Sequence, residues 1–135
     1  MVFSNLEMSI FVLLFDIVMR NFRKLDVYTR SLKFVNSIYD ITSKWPEQER
    51  YGLISQINRA SVSIPSNIAE GSARRTKKDF ARFIEIALGS AFEVETQLII
   101  SQDRNYISES VFIKTIEELT IIQKQLNSLV TSIRK

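Results

Sequence analysis

The sequence predicts an all-α domain: an up-down-up-down four-helix bundle with an extra apolar segment at its N-terminus. Three observations carry this. The 135 residues hold only three glycines and two prolines, too few for the many turns of a β-rich chain. Hydrophobic residues make up 45% of the chain, enough for one real core at single-domain length. Apolar residues recur three and four apart through four long stretches with short breaks, the pattern of an antiparallel bundle. The bundle is assigned to residues 21–135 and the extension to residues 1–20.

The extension runs Met8-Ser9-Ile10-Phe11-Val12-Leu13-Leu14-Phe15-Asp16-Ile17-Val18-Met19. It is shorter than the roughly 20 apolar residues of a membrane span, and Asp16 interrupts it. Glu7 before the run is unlike the positive start of a signal peptide. Three readings stand: an extra helix covering an apolar surface, a weak membrane-associating element, or a true start at Met19. The last is favoured because the domain is complete without these residues. No membrane partner is expected.

Helix one is expected from Leu25 to Ser43, with Leu25, Tyr28, Leu32, Val35, Ile38 or Tyr39, and Thr42 facing inward. Trp45-Pro46 breaks it, and Pro46 suits the first turn of helix two. Helix two is expected from Pro46 to Glu70, with Leu53, Ile57, Ala60, Ile64 and Ile68 inward and Gly71 as a C-cap glycine. Inside it, Pro65 removes the donor to the carbonyl of Ser61, costing about 3 kcal/mol, and predicts a kink near residues 61–65. Thr76 caps helix three with Asp79 three residues on. The inward stripe of helix three is Phe80, Phe83, Ile84, Ala87, Ala91, Val94 and Leu98, ending near Asp103 to Asn105. Ser108 caps helix four, with Ile107 and Phe112 as a hydrophobic staple. Its stripe continues through Phe112, Ile116, Leu119, Ile122 or Gln123, Leu126, and Leu129 or Val130.

The chain has no cysteine and no histidine. That removes disulfides, thiolate zinc sites and cysteine nucleophiles. It also removes histidine-based acid–base chemistry, serine–histidine triads and the Glu-x-x-His pairs of di-iron bundles. No clustered aspartates suggest a magnesium site. No enzymatic activity, metal or cofactor is expected, and a cytoplasmic location fits the missing disulfides.

At about 100° per residue, Gln56, Arg59, Ser63, Asn67 and Glu70 form a polar file beside the apolar face of helix two. Helix three has a similar shoulder in Ser90, Glu93 and Gln97. The preferred reading is a polar seam between helices or subunits, and the sharper one is a ligand groove. Arg59 is expected beside Glu85, Glu93 or Glu95.

Several of these stretches resemble a known family. They are Phe22-Arg23-Lys24-Leu25-Asp26-Val27-Tyr28, Trp45-Pro46-Glu47, Glu49-Arg50-Tyr51-Gly52-Leu53, Gln56-Ile57-Asn58-Arg59-Ala60, Ser63-Ile64-Pro65-Ser66-Asn67-Ile68-Ala69-Glu70-Gly71, Ala87-Leu88-Gly89-Ser90 and Glu93-Val94-Glu95-Thr96-Gln97-Leu98. The pattern is similar to that of the bacterial 23S rRNA intervening sequence proteins, which include the Avd-like accessory variability proteins of diversity-generating retroelements. The likeness spans about residues 22–133. It implies a four-helix protomer, a homopentamer in the form of a five-subunit ring, and no known enzymatic activity. In the retroelement branch it implies binding to a reverse transcriptase and to nucleic acid.

The formal net charge is only +3, so its distribution matters more than its size. An up-down bundle brings the start of helix one, the loop between helices two and three, and the end of helix four to one end. That end collects Arg20, Arg23, Lys24, Arg74, Arg75, Lys77, Lys78, Arg82, Arg134 and Lys135 against Asp26, Glu70 and Asp79. The other end carries Lys44, Glu47, Glu49, Arg50, Asp103, Arg104 and Glu109, which nearly cancel. Arg23, Lys24, Arg74, Arg75, Lys77, Lys78 and Arg82 are the candidate contacts to RNA or DNA phosphates. The expected function is a non-enzymatic, homo-oligomeric, nucleic-acid-associated adaptor. The alternative is an interaction module with a protein partner only, and a metal-dependent hydrolase ranks last.

Overall fold

A computed structural model describes residues 2, 4–10 and 21–135. Four long helices form the body: α1 (Asp26–Thr42), α2 (Leu53–Ser72), α3 (Lys77–Asp103) and α4 (Glu109–Arg134). Short 3-10 turns at Phe22–Lys24 and Glu47–Glu49 precede α1 and α2. The described residues contain no strand. Most of the apolar run at 8–19, the proposed start at Met19, and Arg20 lie outside the described residues.

Successive helices pack against each other, α1 also meets α4, and the diagonal pairs do not approach as closely. Residue pairings fix the directions. Ser63 on α2 bonds Ser90 on α3 at 2.7 Å, while Gly71 lies against Phe80 and Phe83. Gln123 on α4 donates to Glu95 of α3 at 3.0 Å, and Arg134 reaches Glu85. In both pairs one index rises as the other falls, so the neighbours are antiparallel. The result is the expected up-down-up-down bundle.

The core is one cluster running from Val27 and Phe34 through Ile57, Ile64, Ile84, Leu98, Leu119 and Leu126. Fully burying an aliphatic side chain of this kind contributes about 1.5–3 kcal/mol. The inward faces of α3 and α4 match the expected stripes, apart from Phe83, Phe112, Ile116 and Leu129, which are half-buried.

Of the stripe expected to face inward on α1, Ile38 and Thr42 are buried, and the rest of the buried face differs. Val27, Ser31, Phe34, Ile38 and Thr42 are buried, whereas Leu32 and Tyr39 are exposed. The stripe through Tyr28, Leu32, Val35 and Tyr39 is a second apolar face, about 100° round from the core. The hydroxyl of Ser31 helps to disguise the true one. Ser31 Oγ donates to the Tyr28 carbonyl at 2.8 Å, and Thr42 Oγ1 donates to Asn58 Oδ1 at 3.0 Å. Satisfied in this way, small polar residues sit in a core at little cost.

Helix α2 begins seven residues later than expected. Pro46 caps the Glu47–Glu49 turn, and Gly52, at φ −107° and ψ −113°, breaks the path before Leu53. The helix then runs unbroken past Pro65, which is buried within it. Neither nearby hydroxyl turns to the carbonyl that the proline leaves without its helical donor. Ser61 Oγ donates to Asn58 and Ser63 Oγ pairs with Ser90.

The helix ends follow local chemistry. Thr76 Oγ1 accepts from the Asp79 amide at 3.1 Å, and Ser108 Oγ from the Val111 amide at 3.3 Å. Asn105 closes α3 in the left-handed region at φ 61°. The amide of Tyr106 bonds Ser101 O, and that of Asn105 bonds Gln102 O, the paired bonds of a Schellman ending. Trp45 and Tyr106 meet with ring centroids 5.9 Å apart, joining the two loops at that end. Near the chain start, Ser4 and Glu7 exchange bonds of 2.8 and 3.1 Å. This capping box opens the helical residues 5–10, whose Leu6, Met8 and Ile10 are exposed.

Gly71 is not a cap. It lies inside α2, where an added Cβ would fall 2.7 Å from Phe83 Cβ and 3.2 Å from the Phe80 ring. The obstacle is the root of a side chain, which cannot swing away. Gly71→Ala is therefore expected to lower stability by about 1–3 kcal/mol in urea unfolding, despite the gain in helix propensity. Gly89→Ala, with nothing within 4 Å of the new methyl, is expected to raise stability by about 0.5–1 kcal/mol. Equal shifts would refute the close-packing account.

Candidate functional site

The antiparallel topology gathers the expected cations at one end. Arg23 and Lys24 sit in the turn before α1, Arg74 and Arg75 in the α2–α3 loop, and Lys77, Lys78 and Arg82 on the first turns of α3. All seven are exposed. Arg23, Lys24, Arg75, Lys77, Lys78 and Arg82 take no part in the ion pairs among the described residues, which use Arg30, Arg50 and Arg134. The opposing carboxylates are partly engaged. Asp26 accepts from Gln125 Nε2 at 2.8 Å and from Arg30 Nε at 3.3 Å, and these bonds hold its pKa below the ordinary aspartate value. Glu85 is held by Arg134.

Two of these arginines are braced on rings. The Arg23 guanidinium carbon lies 4.6 Å from the centroid of Phe22, which itself makes a T-shaped contact with Tyr28. Arg74 lies 5.1 Å from the centroid of Phe83, and its Nε donates to the Glu70 carbonyl at 3.2 Å. A braced guanidinium loses less side-chain entropy when its N–H fork meets an anion. Sequence spacing did not reveal the Arg74 brace, because Arg74 and Phe83 belong to different elements and meet only through the tight α2–α3 hairpin.

The two polar shoulders face each other along the α2–α3 seam. Ser63 Oγ and Ser90 Oγ are 2.7 Å apart, and Asn67 Nδ2 donates to Ser63 O at 2.8 Å and Ser63 Oγ at 2.9 Å. Gln97 is buried, with Nε2 donating to Glu93 at 3.4 Å and Oε1 without a partner. Ser63 and Asn67 are half-buried; Gln56, Arg59, Glu70 and Glu93 are exposed on the rim. Arg59 makes no ion pair among the described residues. Its three expected partners are engaged elsewhere: Glu85 with Arg134, Glu95 with Gln123 and Glu93 with Gln97. Exposed, Arg59 needs no buried partner.

At the opposite end, a half-open cavity of about 360 Å³ is lined by Lys44, Trp45, Tyr106 and Ser108 among others. No group of three or more acidic residues among the described residues converges to hold a metal ion. No described helix is long and apolar enough to cross a membrane.

A four-helix bundle with one basic end and a polar α2–α3 seam is thus the class of protein defined by fold and site. Residues 23–128 match the model of the 23S rRNA-intervening sequence protein family, and the chain belongs to that family. A solved structure of a protein of unknown function from the S23 ribosomal protein family of Bacteroides thetaiotaomicron is 30% identical. The match covers 77% of this chain and 97% of that one, with a TM-score of 0.70. No curated protein matches the chain.

The serine pair gives a test of the seam. Ser63→Ala and Ser90→Ala are each expected to cost about 0.5–1.5 kcal/mol. The double variant should cost less than the sum by about 0.5–1 kcal/mol, since the two share one bond. Strict additivity in urea unfolding would show that the hydroxyls do not interact.

Proposed function

We propose that this protein is a non-enzymatic, homo-oligomeric adaptor that binds nucleic-acid phosphates through its basic end. The carrying observation is the gathering of Arg23, Lys24, Arg74, Arg75, Lys77, Lys78 and Arg82, all exposed, at one end of the bundle. Family membership adds weight, because the family and the S23 relative are both named for ribosomal RNA or the ribosome. Phosphate contacts supply affinity without sequence information, so binding is poorly sequence-specific. A reverse transcriptase is a partner by resemblance to the retroelement branch. A cytoplasmic location is consistent with a chain lacking cysteine.

The oligomer is proposed as a five-subunit ring, again by resemblance. Exposed Leu32, Tyr39, Val62, Ile86, Phe92 and Ile99 supply apolar area on the outer faces that subunit contacts would cover. The same residues favour the second reading, a module whose partner is protein alone.

Replacing Arg74, Arg75, Lys77 and Lys78 with Gln separates the readings. The four are exposed, so stability should change little. Affinity for a mixed-sequence RNA should fall, and the slope of log K against log salt should become shallower by up to about 3–4. Unchanged affinity and slope would leave the protein-only module as the better account. In light scattering, the full chain should be larger than a monomer at micromolar concentration. A monomer would remove the ring.

A further inference from the structure

We infer that the ligand of the basic end is a double helix, gripped along its phosphodiester rows, and not an unstacked single strand. This rests on the phosphate-binding reading above and names the kind of nucleic acid it takes. Proteins that hold single strands combine positive charge with open aromatic faces on which bases stack, each stacked base contributing about 1–3 kcal/mol. Duplexes hide their base faces and present rows of phosphates, so charge without stacking surface suits them.

Every described aromatic ring at the basic end is already committed. Phe80 is buried, and Gly71 packs against its ring edge. Phe83 is half-buried, with its Cβ against Gly71 and Arg74 over its ring. Phe22 and Tyr28 are half-buried in a T-shaped contact with each other, Tyr28 packs on the core, and Arg23 lies over the Phe22 ring. The exposed aromatic residues among those described lie elsewhere: Tyr51 in the loop before α2, Tyr39 near the far end of α1, and Phe92 midway along α3. Among the described residues, charge and stacking surface are thus separated. Arg23, lying over the Phe22 ring, keeps its N–H edge for phosphate oxygens, which accept two parallel bonds from one guanidinium. Lys78 and Arg82, one turn apart on α3, continue the charge along the helix by about 6 Å.

The test uses the full chain and four labelled probes of equal length: a single-stranded RNA, a single-stranded DNA, an RNA duplex and a DNA duplex. Anisotropy titrations are run across a salt series. The expected result is binding to both duplexes roughly tenfold tighter than to either single strand at equal ionic strength, a margin set by about one absent stacking contact. The difference between the two duplexes identifies RNA or DNA as the source of the phosphates. Single strands bound as tightly as duplexes, or tighter, would overturn the inference while leaving phosphate binding intact. Binding to none of the four would overturn both. Phe22→Leu supplies an independent check, with folding confirmed by circular dichroism. If the ring only braces Arg23, the loss is two- to threefold or less and equal for all probes. A loss confined to single strands would mean bases stack there and would overturn the inference.

Discussion

The close approach of α2 and α3 at Gly71 is the constraint on which the rest of the molecule depends. With no Cβ at that position, the backbone of α2 can lie against Phe83 Cβ and the Phe80 ring. The gap is too small for any other residue unless the helices part. Closing this corner leaves only residues 73–76 to turn the chain into α3, and Thr76 caps the new helix at once. Arg74 is carried onto the Phe83 ring by the same geometry. Further along, the two helices remain near enough for Ser63 and Ser90 to share a short hydrogen bond. One missing methyl therefore sets a hairpin, a seam and the placement of the basic loop.

Much of the fold was legible from periodicity, and the failures have local causes. On α3 and α4 the buried residues are mostly Phe, Ile, Leu, Val and Ala, so the apolar stripe and the core coincide. On α1 they do not. Its buried face includes Ser31 and Thr42, whose hydroxyls bond a helix carbonyl and Asn58, while bulkier Leu32 and Tyr39 point outward. Hydrophobicity alone ranks the wrong face first in such a helix. The start of α2 was misplaced because proline suits the first turn of a 3-10 helix as well as that of an α-helix. Gly71 likewise carried two meanings, cap or close approach, and only its neighbours distinguish them. Asn105 was the readable sign of the α3 ending, since asparagine tolerates the left-handed conformation that a Schellman ending requires.

The candidate site was legible to a different degree. Its charge could be assigned to one end because topology and residue order alone decide which loops meet. The seam was legible as a polar file, but not in depth. At about 100° per residue, Gln56, Arg59 and Glu70 share the shoulder of Ser63 and Asn67. Yet the short side chains stay between the helices and the long ones reach outward. The bracing of Arg74 was not legible at all, because it depends on where a ring from another element comes to lie.

The two ends of the bundle are built by contrasting means, and the contrast bears on how a ligand would be held. At the far end, Trp45 against Tyr106 and the Schellman ending of α3 tie two connections together over nearly cancelling charges. At the basic end, Phe22 against Tyr28 and the Gly71 contact do the same mechanical work beneath uncancelled charge. Rigidity is common to both ends; charge is not. Ordering a flexible loop on binding would consume about 1–2 kcal/mol per residue fixed. The short 73–76 connection is already anchored at Gly71 and Thr76, so little of that cost remains. Phosphates meeting this end would therefore be attracted mainly by charge that is already in place, and salt is the natural variable with which to measure it.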